Sequence, residues 1–373
     1  MKKIAILGST GKIGTQTLAV IRSYPQEFKV IGLACKHQSK LFSQQVKEFK
    51  PKITAISEIE GEEKLIKVAT HPEVDLLVVA VVGLAGLMPT LKAIEAGKNI
   101  ALATKEVLVI AGEIVMRAVR KNGVDLIPLD SEHSAIFQCS KSGNFKEIKK
   151  LILTMGKGPI AKMTEKQLEQ VNLEHIFNRP HWTMGTKIAV DSATGMNKTF
   201  EVVEAAWLFG VKPEQIEIIV HPEYLCHSLV EFVDGSIITE LGCPDMKRYL
   251  QYGLFYPHRK PNKVSSFVNL INQRMSFEKV PDDKFPCLKL GFVALNKGGT
   301  MPAVMHGADT IAVNAFAEKK IKFIDISKII IKTMNHHKVL KNPNLIQLIK
   351  AEKWGQKYAR ELCNSELSCP PKP

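Results

Sequence analysis

The sequence has no apolar run long enough to cross a bilayer. Spanning the hydrocarbon core takes about 20 predominantly apolar residues, whereas the richest stretch, Leu76 to Leu87, is shorter and broken by glycines. No secretory leader is expected either. Lys2 and Lys3 lead into a short apolar run that ends in a glycine loop, without a small-residue cleavage site, and it reads as a first strand. Seven cysteines, at 35, 139, 226, 243, 287, 363 and 369, form no CxxC pair and have an odd total. Zinc ribbons and disulfide frameworks are therefore not indicated, and reduced thiols in a cytoplasmic protein are expected. No internal repeat argues for a solenoid. The net charge of +14 comes without a dense basic run or interleaved aromatics. It suits an anionic small substrate better than nucleic acid, and neither a nucleic-acid nor a membrane partner is expected.

What is present is a chain of 373 residues, 45% hydrophobic and 24% charged. That length exceeds one hydrophobic core, so two or three domains are expected. Over the first 130 residues, β-branched runs (Lys3–Leu7, Phe28–Ala34, Leu76–Val81, Asn99–Leu102, Asp125–Pro128) alternate with helical spacing (Ile13–Ser23, Ser43–Phe49, Pro89–Ala96, Glu106–Asn122). Parallel strands need such crossovers, so the rhythm predicts an α/β fold with a doubly wound, Rossmann-like parallel sheet. Beyond Lys149 the texture is α+β. Strands are predicted at Leu151–Thr154, Lys187–Val190, Ile216–Val220 and Ser236–Thr239, with a hairpin at Asp234-Gly235. Pro257–Pro286 reads as a connector, and helices follow at Leu288–Asn296, Asp309–Glu318, Ile326–Asn335 and Leu345–Leu362.

Gly8-Ser9-Thr10-Gly11-Lys12-Ile13-Gly14 follows the first strand and opens the first helix. Glycines at this point let the backbone approach a pyrophosphate, with helix N–H groups aimed at it. The spacing is GxxGxxG rather than GxGxxG, and a structural turn is the alternative. The second strand ends Ala34-Cys35-Lys36-His37, with no carboxylate for a ribose 2′-hydroxyl. Two potential cations suit a 2′-phosphate, so NADP is favoured over NAD.

Asp130 and Glu132 follow a buried strand at the carboxyl edge of the sheet, where ligands bind. On an extended segment their i,i+2 spacing would turn both carboxylates to one side, suiting Mg²⁺ or Mn²⁺. Taken alone, the pair fits a solvated loop better than a metal site. Further on, Ser192, Asn197 and Lys198 put a hydroxyl, an amide and an ammonium into one short loop, a set that suits phosphate. Glu201 falls one helical turn beyond Lys198, and an ordinary helix start is the alternative.

These segments, LGSTGKIGTQTL, VVGLAGLMPTLKAIEAGK, LATKEVLV, LDSEHSAIFQC, VDSATGMNKTFEVVEAAWLF, LGCPDM and CLKL, stand in the order found in 1-deoxy-D-xylulose 5-phosphate reductoisomerases, which the chain resembles from about residue 1 to 325. The resemblance implies an NADPH-binding domain (1–130), a catalytic and dimerisation domain (131–256) with a flap near 177–186, a connector (257–286) and a C-terminal helical domain (287–373). It also implies a homodimer acting on a phosphorylated sugar with NADPH and Mg²⁺ or Mn²⁺. By the same resemblance the metal ligands are Asp130, Glu132 and Glu201, which with Lys105 form the catalytic set. Substrate contacts fall at Lys105, Ser131, Glu132, Gly156, Lys157, Arg179, Trp182, Ser192, Asn197, Lys198 and Glu201. Cofactor contacts fall at Thr10, Gly11, Lys12, Ile13, Cys35, Lys36, His37, Thr104, Glu106 and Gly185.

The chain departs from the family pattern at several of these positions. In the phosphate loop Thr154-Met155-Gly156-Lys157-Gly158-Pro159, the usual serine is Gly156 and a cation enters at Lys157. The usual flap histidine is Arg179, which can still clamp phosphate. On the cofactor side Lys12, Cys35, His37 and Thr104 replace serine, glycine, asparagine and asparagine. The segment His306-Gly307-Ala308-Asp309-Thr310 replaces Asn-Ala-Ala-Asn-Glu, with an expected weakening of a helix start. Gly156 and Arg179 motivate an alternative, a diverged NADPH-dependent oxidoreductase acting on another sugar phosphate.

Overall fold

A computed structural model describes residues 1–158, 160–161, 163–177, 185–281 and 284–365, with Glu165 described by its backbone alone. The chain forms two compact units. The first comprises Met1–Val107, Glu113–Ser142 and Glu240–Leu270, and the second Leu108–Gly112, Gly143–Thr239 and Ile271–Pro373.

In the first unit the elements run β1 (Lys2–Leu7), α1 (Lys12–Ser23), β2 (Phe28–Cys35), α2 (Lys40–Phe49), β3 (Ile53–Ile56), α3 (Ser57–Ala69), β4 (Leu76–Val79), α4 (Leu87–Glu95), β5 (Asn99–Leu102), α5 (Glu106–Asn122), β6 (Leu126–Pro128) and α6 (Ser131–Cys139). The six strands form one sheet in the order β3-β2-β1-β4-β5-β6, and every pairing is parallel. Ile4–Leu7 and Leu76–Val79 are buried throughout, as continuous apolar strands covered on both faces must be. Strand order reverses between β1 and β4, which makes the carboxyl ends of those strands the crevice of a doubly wound sheet. The Rossmann-like expectation holds. β3 and α3 have no counterpart among the expected elements, because Glu58, Glu60, Glu62 and Glu63 dilute the apolar periodicity and Gly61, at φ +72°, interrupts it.

The second unit contains β7 (Ile148–Met155), α7 (Glu165–Leu168), α8 (Leu173–Phe177), α9 (Thr186–Thr194), α10 (Met196–Phe209), β8 (Ile216–Val220), β9 (Cys226–Phe232) and β10 (Ile237–Leu241). After α11 (Met246–Phe255) come β11 (Glu278–Lys279), α12 (Leu290–Lys297), α13 (Met301–Ala317), α14 (Phe323–His336) and α15 (Leu345–Ser365). A mixed sheet runs β10-β9-β7-β8-β11. The predicted hairpin joins β9 to β10, where Asp234 Oδ1 accepts from Ser236 N at 2.9 Å. Lys187–Val190 is helix, not strand. A four-residue run with two β-branched members is ambiguous by periodicity, and here helical spacing brings Lys187 within 2.7 Å of Asp191, one turn on. Val190, Met196, Phe200, Met305 and Ile330 meet in the core of this unit.

α11 belongs to the first unit, although the sequence groups it with residues 131–256. Its apolar face, Leu250, Leu254 and Phe255, joins the core of the parallel sheet. Phe255 lies edge-on to Tyr24 at 4.9 Å between ring centroids and 4.6 Å from Phe28, while Tyr24 Oη donates to Gln251 Oε1 at 2.8 Å.

Candidate functional site

The glycine loop is shaped by contacts only glycine permits. Gly8 has φ +86°, and a Cβ there would lie 2.3 Å from Ala80 O, in the segment after β4. At Gly14 a Cβ would lie 2.2 Å from Gly8 O and 2.6 Å from Ser9 Cα. The loop thus folds back on α1 and presses against the end of β4. Ser9 is buried in a reciprocal pair with Gln45 (2.8 and 2.9 Å), whereas Gly11 and Lys12 are exposed and Thr10 and Ile13 half-buried. No side chain caps the start of α1, and a helix N-terminus favours a nearby anion.

At the end of β2, Cys35 is buried and its Sγ donates to His37 O at 3.1 Å. Burial, with Glu60 nearby, pushes its thiol pKa up to about 11. Lys36 and His37 are exposed. A carboxylate does stand here: the His37 ring pairs with Glu58 from the first turn of α3. Glu58 lies 21 residues beyond His37, so the sequence carries no local signal of this pairing. Thr104 is buried, and its hydroxyl donates to Val81 O at 2.6 Å, which ties β5 to the end of β4. Glu106 accepts from Gly83 N at 3.4 Å.

Along the same carboxyl edge, β6 delivers Asp130 and the neighbouring β5 delivers Lys105. Their charged groups are 2.6 Å apart, and both side chains are largely buried. Asp130 is not on an extended segment with Glu132, as the spacing suggested. It caps α6, accepting from Ser131 N at 2.9 Å, and Glu132 sits in the first turn. Acidic residues favour that position because the N-terminal N–H groups stabilise negative charge. Ser131 Oγ donates to Glu132 Oε2 at 2.5 Å. His133, fully buried, brings Nδ1 within 3.8 Å of Asp130.

In the second unit, Ser192, Asn197 and Lys198 come from two helices rather than one loop. Gly195, at φ +83°, ends α9 and opens α10. Ser192 Oγ donates to Ile188 O at 2.7 Å. Asn197 Nδ2 donates to Glu201 Oε1 at 2.5 Å, and Lys198 Nζ to Glu201 Oε2. Lys198 and Glu201 are both buried. Each oxygen of Glu201 therefore has a donor that fixes its direction. Lys187, on the first turn of α9, also reaches Asp309 of α13 at 2.5 Å.

Gly156 follows the last residue of β7, and Lys157 makes a half-exposed ion pair with Glu278 at 2.8 Å. Gly185 caps α9. Arg179 and Trp182 lie outside the described residues. His306–Thr310 is not a helix start but the middle of α13, where buried His306 meets Glu352 of α15 at 3.2 Å.

Three family models match this chain. Residues 126–209 match the 1-deoxy-D-xylulose 5-phosphate reductoisomerase C-terminal domain, 241–358 the DXP reductoisomerase C-terminal domain, and 4–60 with 55–112 the 1-deoxy-D-xylulose 5-phosphate reductoisomerase family itself. A 1-deoxy-D-xylulose 5-phosphate reductoisomerase 1 of Bacillus thuringiensis subsp. konkukian is 43% identical over 379 residues, covering 97% of this chain and 98% of its own. The reductoisomerase of Caldanaerobacter subterraneus subsp. tengcongensis is 45% identical over 369 residues, with 94% and 97% coverage. Among solved structures, the Zymomonas mobilis reductoisomerase in complex with NADPH superposes with a TM-score of 0.90 at 34% identity, covering 98% of this chain and 99% of that one. A DOX-P reductoisomerase in complex with NADPH, fosmidomycin and magnesium gives 0.92 at 34% identity, with 97% and 98% coverage.

Proposed function

This chain belongs to the 1-deoxy-D-xylulose 5-phosphate reductoisomerase family, and from that premise we propose how its residues carry out the family reaction. The protein is an NADPH- and divalent-metal-dependent reductoisomerase. It rearranges 1-deoxy-D-xylulose 5-phosphate and reduces the product to 2-C-methyl-D-erythritol 4-phosphate in non-mevalonate isoprenoid biosynthesis. The observation that carries this reading is a 43% identity covering 97% of this chain and 98% of its relative.

NADPH is assigned to the crevice where strand order reverses. Thr10, Gly11, Lys12 and Ile13 present the pyrophosphate with backbone N–H groups and one ammonium. Cys35, Lys36 and His37 lie toward the adenosine end, where the Lys36 cation suits a 2′-phosphate. Thr104, Glu106 and Gly185 are assigned to the nicotinamide side. NADPH, when bound, supplies the hydride.

Asp130, Glu132 and Glu201 are the assigned ligands of Mg²⁺ or Mn²⁺. Carboxylate oxygens suit a hard divalent ion, and the residues present fit one. Lys105 beside Asp130, and Lys198 beside Glu201, set a cation against each of these carboxylates. Bound there, the ion supplies Lewis-acid polarisation of the substrate's oxygens. Lys105 and Ser131 donate to the reacting end of the sugar. Ser192, Asn197 and Lys198 hold the phosphate with Gly156, Lys157 and Arg179, while Trp182 covers the substrate. Binding energy from a phosphate remote from the reacting carbons holds those carbons in register.

Along the chain the proposed division of labour is NADPH binding in 1–130, catalysis and dimerisation in 131–256, a connector over 257–286 and a helical domain from 287. It cuts across the compact units at α11, because activity follows residues that meet substrate whereas packing follows apolar faces. A cytoplasmic homodimer is part of the same reading. β10 forms an edge of its sheet, and its Ile237 is exposed, an edge that a second copy can cover.

The test is NADPH consumption, followed by absorbance, in the presence of 1-deoxy-D-xylulose 5-phosphate and Mg²⁺ or Mn²⁺. Turnover that disappears with chelator and returns with the ion is expected. No turnover with this substrate, or turnover only with another sugar phosphate, would overturn the assignment.

A further inference from the structure

The family's phosphate loop carries a serine where this chain has Gly156, and in the structure the Tyr224 hydroxyl lies against that glycine. A Cβ built on Gly156 would lie 1.7 Å from the Tyr224 hydroxyl oxygen and 2.0 Å from its Cζ. A serine hydroxyl lies one bond beyond its own Cβ, so the Tyr224 hydroxyl stands in the space that a serine side chain at 156 would need. On the strength of the reductoisomerase reading, we propose that Tyr224 is a substrate-phosphate ligand whose phenol hydroxyl does the work of that serine.

The placement of Tyr224 is built from the core outward. His221 N donates to Met155 O at 2.8 Å, which carries the chain leaving β8 over the end of β7. The His221 ring is buried. Its Nε2 accepts from Leu225 N at 3.1 Å, and its Nδ1 lies 2.9 Å from Ser276 O. One neutral tautomer, protonated on Nδ1, satisfies both contacts. Between these anchors Tyr224 takes φ +54°, a left-handed conformation that is uncommon for a bulky residue. The strain is held by the turn, and it aims the ring at the space beside Gly156.

The chemistry of the position fits an anion. At neutral pH a phenol is a hydrogen-bond donor, and its bond to a phosphate is charge-assisted. β7 packs on α10, the helix that carries Asn197 and Lys198 in its first turn, and Met155 packs against the cluster containing Val190, Met196 and Phe200. Tyr224 is half-buried, rigid enough to be aimed and open enough to meet a ligand.

Packing alone would also put a large ring next to a glycine, and Tyr224→Phe separates the two roles because it keeps the ring and removes only the hydroxyl. The expected result is a KM for 1-deoxy-D-xylulose 5-phosphate raised about tenfold or more, the value of one hydrogen bond to a charged group, with KM for NADPH unchanged. A second variant, Gly156→Ser, displaces the ring and restores a serine hydroxyl, so in that background Tyr224→Phe is expected to change the substrate KM less than about twofold. An unchanged KM in Tyr224→Phe, or an equal loss in both backgrounds, would overturn the proposal. Absence of turnover in the unaltered protein would instead remove the reductoisomerase reading, and this assignment with it.

Discussion

Two lysine–glutamate pairs show how burial decides what a residue contributes. Lys198 and Glu201 are both buried on α10, whereas Lys157 and Glu278 are about half exposed. A buried carboxylate that loses its cation stays in a poorly polar medium with little compensation, which costs about 3–5 kcal/mol. An exposed pair is screened by water and is worth about 0–1 kcal/mol. Lys198→Met should therefore lower the unfolding free energy in urea by about 3 kcal/mol, and Lys157→Met by less than about 1 kcal/mol. Equal losses would show that Glu201 is not held as described. Residue identity in the sequence signals such chemistry, but partners distant in sequence do not announce themselves. Asp130, Glu132 and Glu201 could be named from motifs. Glu58 beside His37 and Tyr224 beside Gly156 could not, because each pairing depends on how two remote turns are brought together.

For elements, legibility followed periodicity and length. Asn99–Leu102 and Glu106–Asn122 were readable to the residue, since an unbroken apolar strand and a long amphipathic helix each have one good interpretation. α9 was read as a strand because a short run with Ile188 and Val190 carries too few residues to separate a period of two from one of 3.6. The helix start at Ser131 was missed for a related reason: the N-cap Asp130 also reads as a ligand on a loop. The glycine loop is the element most open to a direct test. Gly14→Ala puts a methyl against the backbone of Gly8 and Ser9, where no side chain can yield. A loss of about 1–3 kcal/mol in stability is expected from overpacking of this kind, together with weaker NADPH binding by calorimetry. NADPH affinity equal to that of the unaltered protein would mean the loop does not approach the cofactor.

Across the whole molecule, the parallel sheet was legible while the path of the chain through it was not. The βα rhythm identifies the first 130 residues, yet nothing in that rhythm reveals that Glu240–Leu270 returns to the same unit. The only local signal is the amphipathic face of α11, and amphipathicity does not say what a helix will cover. Phe255→Ala removes a ring that sits against Tyr24 and Phe28. It should cost about 3–5 kcal/mol and accelerate hydrogen exchange in α1, some 230 residues earlier in the chain. Unchanged protection in α1 would place α11 outside that core.

The return of α11 also sets an order of events during synthesis. A ribosome completes β1 to α6 long before it reaches Leu250, Leu254 and Phe255, so the nascent nucleotide-binding sheet waits with Tyr24 and Phe28 lacking their cover. In that interval more than a hundred further residues, among them Gly143–Thr239 of the second unit, must emerge. The first unit to begin folding is therefore unable to finish first, and chaperone demand should peak while the middle of the chain is being made.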